Sequence, residues 1–151
     1  MGNLSSNIIL SSLNNKNLVV VKNEILKINE DSALYGLTLS SKDIEDVVKY
    51  RGESLKTYGR IELNIDVTKK IMEKLYTSQY TNKEDYVEKI NDIQDIFYYL
   101  KNETLDEISD NEIMDIISEF YEKSNGEIGN VQNLVEKFAL DYRLSRVNKY
   151  E

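Results

Sequence analysis

Cysteine, histidine, proline and tryptophan are all missing from these 151 residues. Without cysteine there is no disulfide, no thiolate nucleophile and no soft ligand for zinc or an iron–sulfur cluster. Without histidine there is no imidazole base titrating near neutrality and no histidine ligand for haem. Any catalysis would fall to carboxylate, amine, hydroxyl and guanidinium groups. Proline is absent and glycine numbers only six, so no linker composition divides the chain. No window approaches the roughly 18 apolar residues that a membrane-spanning helix needs, and no membrane association is expected.

Positive charge is also short: 19 Lys and Arg against 27 Asp and Glu leave a net charge of −8. Such a chain repels polyanions unless its cations gather on one surface, and none gather before the final helical segment, so nucleic acid is not an expected partner. The apolar Ile8-Ile9-Leu10 lacks the basic leader and small-residue cleavage site of a signal peptide, which points to the cytoplasm. Met1-Gly2-Asn3-Leu4-Ser5-Ser6 fits the N-myristoylation pattern, but the pattern is short and permissive. The heavy use of Asn, Lys, Ile and Tyr is that of a low-GC bacterial proteome, where the modification is not expected. Asn102-Glu103-Thr104 fits a glycosylation acceptor, with nothing else to suggest secretion.

What is present is helical periodicity. With 40% hydrophobic residues the chain can bury one continuous core, and residues 1–151 are expected to form a single domain. Thr81-Asn82-Lys83-Glu84 reads as a capping box, followed by Tyr86, Ile90, Ile93, Phe97 and Leu100 at alternating four- and three-residue steps. Ser109 caps a second stripe of Ile113, Ile116, Ile117 and Phe120, which Gly126 ends. Gly129-Asn130 opens a third, through Val131, Leu134, Val135, Phe138 and Tyr142, with Arg143, Arg146 and Lys149 near the negative end of its dipole.

Upstream, Ser40 or Ser41 caps a stripe of Ile44, Val47, Val48, Leu55 and Tyr58, with Gly59 placed for a left-handed C-terminal residue. Leu18, Val21, Ile25 and Ile28 share helical spacing, although Val19-Val20-Val21 is β-branched and allows a short strand. Arg60 to Asn64 alternates polar and apolar residues but has no partner strand. It reads as an extended connector leading to a helix capped by Asp66. The predicted architecture is all-α, a compact irregular bundle of six or seven helices.

With the runs Arg51-Gly52-Glu53-Ser54-Leu55-Lys56-Thr57-Tyr58-Gly59-Arg60-Ile61-Glu62 and Phe97-Tyr98-Tyr99-Leu100-Lys101-Asn102-Glu103-Thr104-Leu105-Asp106-Glu107-Ile108-Ser109-Asp110 in view, the chain resembles an uncharacterised family of small helical proteins from low-GC anaerobic bacteria. The likeness runs from about residue 24 to about residue 121. It implies no activity. Leu63-Asn64-Ile65-Asp66, just after the first run, contains no glycine, so the backbone there is not suited to cradle a phosphate.

The strongest polar constellation is Arg51, Glu53, Arg60 and Glu62. Arg51 interrupts an apolar stripe, so its guanidinium is expected to pair with an acid of another helix, Glu103 or Asp106, with snorkelling to solvent and ligand binding as alternatives. The acids Asp106, Glu107, Asp110, Glu112 and Asp115 lack the alternation and central glycine of a calcium loop, and neither metal nor cofactor is expected. Phe97-Tyr98-Tyr99-Leu100 turns through about 300° of helix, so one of its rings should leave the core. Tyr98 and Tyr99 are therefore the candidate interface. No nucleophile or acid–base dyad is recognisable. The residues favour a non-catalytic interaction module that docks a protein partner or a second copy of itself. A regulatory domain holding an anionic ligand on Arg51 and Arg60 is the alternative.

Overall fold

The computed structural model describes residues 18–150, with side chains described as far as residue 147. The candidate lipidation site at Gly2 and the Ile8-Ile9-Leu10 stretch lie outside the described residues, as does the Lys149 side chain. Among the described residues there are six α-helices and no strand. They are α1 (18–32), α2 (Ser41–Thr57), α3 (Asp66–Tyr76), α4 (Tyr86–Glu103), α5 (Asp110–Lys123) and α6 (Ile128–Tyr150). A 3-10 turn at Ala33–Tyr35 follows α1. The β-branched Val19-Val20-Val21 is helical, because Ile25 in the same periodic stripe is fully buried and fixes the face that α1 turns inward.

Helix α4 is the axis of the bundle and packs against α2, α3, α5 and α6. Its two richest faces explain this: Ile90, Ile93, Phe97 and Leu100 point one way, while Ile96 and the adjoining Tyr98 are also buried. Buried polar groups set the register. The Thr68 hydroxyl donates to Gln94 Oε1 at 2.7 Å, and Gln94 Nε2 donates to the Val47 carbonyl at 3.4 Å, tying α3, α4 and α2 together. Asn29 clasps the strandless segment after α1 by donating to the Leu39 carbonyl and accepting from the Leu39 N–H, both at 2.9 Å.

Helix ends obey the sequence in part. Ser40 accepts from the Asp43 N–H while Asp43 accepts from Ser40, a full capping box. Ser109 accepts from Glu112 N–H in the same manner. Thr81 does not cap α4. Its hydroxyl is bonded to the Tyr121 hydroxyl at 2.6 Å, and residues 83–85 form a turn, so the helix begins only at Tyr86. Asp66 is likewise the first residue of α3 rather than its cap, and Asn64 Oδ1 takes the Asp66 N–H at 3.1 Å.

Three helices end with the same pair of backbone hydrogen bonds. After α2, the Gly59 N–H reaches the Lys56 carbonyl and the Arg60 N–H reaches the Leu55 carbonyl. After α4, Leu105 bonds Asn102 and Asp106 bonds Lys101 in the same pattern, and Asn125 and Gly126 repeat it after α5. The left-handed residues are Gly59 (φ +63°) in the first, Leu105 (φ +56°) and Asp106 (φ +59°) in the second, and Asn125 (φ +52°) and Gly126 (φ +76°) in the third.

Candidate functional site

Between the first turns of α1, the middle of α2 and the connector that follows α2 lies a groove of about 870 Å³. Leu18, Val20 and Val21 line it from α1, Val48, Arg51 and Gly52 from α2, and residues 61–64 from the connector. The connector presents Ile61 at 90% and Leu63 at 98% exposure, the two most exposed large apolar side chains among the described residues. Gly52 is a mid-helix glycine with a negative φ, and a Cβ built there meets nothing within 4 Å. No packing demand explains it, although glycine inside a helix costs roughly 0.5–1 kcal/mol relative to alanine. Its effect is to leave the groove open.

Arg51 holds the connector in place. Its Nη2 donates to the Asn64 carbonyl at 2.7 Å and to the Glu62 carbonyl at 3.3 Å, with Glu62 Oε2 at 4.0 Å. The carboxylate of Glu62 is fixed from the other side by Tyr98, whose hydroxyl donates to Oε2 at 2.7 Å. Burial, with this hydrogen bond second, pushes the Tyr98 phenol well above its ordinary range. Arg60, placed by the turn after α2, donates to Asn102 Oδ1 at 2.8 Å and is paired with Asp106. That guanidinium holds the Asp106 carboxyl below its usual range. Asn102 Nδ2 in turn donates to the Tyr58 carbonyl at 3.4 Å.

Four contacts thus join the segment from Arg51 to Glu62 to the segment from Phe97 to Asp110, the two stretches most distinctive in the sequence. A family profile spanning residues 24–148 matches the chain across both of them and on through most of α6. The chain belongs to the family of unknown function DUF6323. No curated protein and no solved structure matches it. Within this DUF6323 chain, the paired segments meet at Tyr58, Arg60 and Glu62, where the connector leaves α2.

Arg51 does not reach Glu103 or Asp106. Glu103 bonds Arg143 at 3.1 Å and Asp106 is taken by Arg60. Side chains lean toward the N-terminus of their own helix, whereas Glu103 and Asp106 lie level with the far end of α2, so backbone carbonyls of the connector are the nearer acceptors. Glu53 is exposed on another face of α2 and does not join Arg51, Arg60 and Glu62.

Of the anticipated Tyr98/Tyr99 face, Tyr98 lies inside the core and Tyr99 alone keeps partial exposure. Tyr98 is 0% exposed and packs edge-on against Phe97. Tyr99 is half-buried beside α6, in a smaller hollow of about 240 Å³ with Tyr58, Asp95 and Glu136. The 300° spread of Phe97 to Leu100 is absorbed because α4 is covered by neighbours on most of its circumference. The acidic stretch is dispersed among separate cations: Asp106 to Arg60, Glu107 to Arg146, Asp110 to Lys101 at 2.8 Å and Asp115 to Lys74 at 3.8 Å. Asn102, the glycosylation candidate, has both ends of its amide engaged.

Leu18, Val20, Ile61, Leu63 and Gly52 are the site residues that sequence reasoning missed. The available signal was Ile61 and Leu63 at alternate positions of a segment with no partner strand, and a glycine within a helical stripe.

Proposed function

We propose that this protein is a non-catalytic interaction module that docks an apolar segment of a protein partner in the groove between α1, α2 and the connector. The observation that carries the reading is the exposure of Ile61 and Leu63 on a wall held by Arg51 and backed by Glu62 and Tyr98. Loosely held apolar side chains would fold inward; these are kept outward by bonds to the backbone on either side of Leu63. Exposed apolar surface framed by polar groups is a common mark of a docking surface, and the open position at Gly52 adds room for the occupant. The lack of imidazole and thiol chemistry supports the non-catalytic part.

The anionic-ligand alternative has less in its favour. Arg60 is committed to Asn102 and Asp106, so binding an anion there would first break existing bonds, and Arg51 spends Nη2 on two connector carbonyls while its Nε is buried without a hydrogen-bond partner.

The test compares affinity purification by the wild-type chain and by Ile61→Asp/Leu63→Asp. A partner retained by the first and lost by the second, at equal thermal stability, supports the groove. Equal retention by both removes it.

A further inference from the structure

We infer that the segment docked in the groove carries one acidic side chain, Asp or Glu, with aliphatic residues on both sides of it, and that the carboxylate sits over Gly52 between Lys49 and Arg51. The inference rests on the docking reading above and names the chemistry of the partner.

The first observation is an uneven commitment of charge. Three carboxylates line the groove, and each has a partner: Glu24 meets Lys69 at 3.8 Å, Glu45 bonds Lys22 at 3.1 Å, and Glu62 accepts from Tyr98 at 2.7 Å with Arg51 at 4.0 Å. The lining cations are less committed. Lys49 has no carboxylate within 4.0 Å among the described residues, and Glu45 and Glu53, one helical turn to either side, come no nearer. Arg51 spends Nη2 on two connector carbonyls, while its Nη1 has no partner and, unlike Nε, is not enclosed. A purely aliphatic guest would cover these groups and leave them with neither water nor an acceptor, and an unpaired charge is costly to desolvate. One carboxylate supplies a counter-charge for Lys49 and an acceptor for Nη1, in bonds stronger than those between neutral groups.

The second observation is where the two cations stand. At about 100° of turn per residue, Val48 and Gly52 fall along one line of α2, with Lys49 to one side of it and Arg51 to the other, and all four line the groove. Gly52 is the gap between the cations, and a Cβ built there meets nothing within 4 Å. Packing inside the chain does not call for this glycine. A carboxylate resting on it does, because a side chain at position 52 would stand between the guest and both cations.

The third observation is that the cations lie between two apolar walls. Leu18, Val20 and Val21 stand on the α1 side, with Ile61 and Leu63 on the connector side. A segment that crosses from one wall to the other places aliphatic residues on both flanks of its acid. A chain-terminal carboxylate or a fatty acid has its apolar part on one flank only and would leave one wall bare. A run of acids fits no better, because the chain carries a net charge of −8 and repels it.

The test selects random dodecapeptides on the full chain, displayed inside a carrier so that neither end is free, and the best binder is synthesised with both ends blocked. The inference predicts a consensus of one Asp or Glu flanked by Leu, Ile or Val, and an affinity that falls about tenfold when that acid becomes Asn or Gln. Lys49 is exposed, so changing it tests the placement without disturbing the core. Lys49→Glu is expected to weaken the acidic peptide at least about tenfold and to prefer a version with Lys in place of the acid. Should the reversed charge alter thermal stability, Lys49→Gln reads the same contact through a smaller loss. Binders that are aliphatic with no acid, or an acidic peptide held equally by wild type and Lys49→Glu, overturn the inference. The docking reading survives either result when binding is lost on Ile61→Asp/Leu63→Asp, and falls with the inference when binding persists. No binder at all also overturns the inference, and the affinity purification described above then decides the docking reading alone.

Discussion

Arg60 and Asp106 occupy the same place in two matching helix-ending turns, each the second residue past its cap, and they pair with one another. The pairing joins the end of α2 to the end of α4, which run in the same direction, with Val47 beside Gln94 at one end and Tyr58 beside Asn102 at the other. Asp106 alone would sit badly near the negative pole of α4. The Arg60 guanidinium offsets that, and Tyr98 completes the clamp one layer inward through Glu62.

Removing the Tyr98 hydroxyl should therefore weaken the fold. Tyr98→Phe keeps the ring in its buried position and deletes a hydrogen bond to a carboxylate, with an expected loss of about 1–2 kcal/mol in urea unfolding. An unchanged midpoint would mean that Glu62 finds an equal partner in Arg51 or water.

Tyr86 supplies the contrast. It is 1% exposed, and its hydroxyl faces the buried Ser32 hydroxyl without either reaching hydrogen-bond geometry. Tyr86→Phe should cost nothing and is expected to stabilise by up to about 1 kcal/mol, because an unsatisfied buried hydroxyl is itself a penalty. The same urea titration reads both variants.

The two phenols also set an alkaline limit. Burial raises both above the ordinary value of 10.0. Above about pH 10 the unfolded chain releases protons that the native state keeps, so stability falls as pH rises, while below it the contribution is fully present. Stability measured from pH 8 to pH 11.5 should fall less steeply in the Tyr98→Phe/Tyr86→Phe chain than in wild type. Parallel curves would contradict the burial of both groups.

Leu105 holds a left-handed conformation at the position where α2 has Gly59, and it is 61% exposed, so little packing rewards it there. Left-handed geometry costs a non-glycine residue roughly 1–2 kcal/mol. Part of this is returned to the unfolded chain by glycine's freedom, and Leu105→Gly should raise stability by about 0.5–1 kcal/mol. A loss would show that the exposed leucine makes contacts worth more than its strain.

Within α2, Gly52→Ala should stabilise the helix by roughly 0.5–1 kcal/mol, since nothing lies within 4 Å of the added carbon. Gly52→Trp should keep the fold but abolish partner retention by filling the groove. Retention unaffected by the indole would place the docking site elsewhere.

The helices were legible in the sequence because their stripes, caps and stop residues agree: Ser40, Gly59, Ser109 and Gly126 all act as their residue types imply. Thr81 misled because a cap hydroxyl is also a good partner for a buried phenol, and only the packing of α5 against the turn before α4 decides between Glu84 and Tyr121. The partners of Arg51 were hidden for a related reason. A side-chain pattern advertises carboxylates, but the acceptors used are backbone carbonyls, which every residue carries. Periodicity lets one ring of Phe97 to Leu100 leave the core but cannot tell which: Tyr98 is enclosed and Tyr99 keeps partial exposure. The groove was the least visible, since it depends on where a connector lies rather than on any repeat.

The most direct test of the docking site is photo-crosslinking in the native cell from a photoreactive residue in place of Leu63, compared with the same residue in place of Leu140, which is half exposed on α6. The account predicts a discrete adduct from position 63 to a partner that is absent from position 140. The same diffuse pattern from both positions would contradict it.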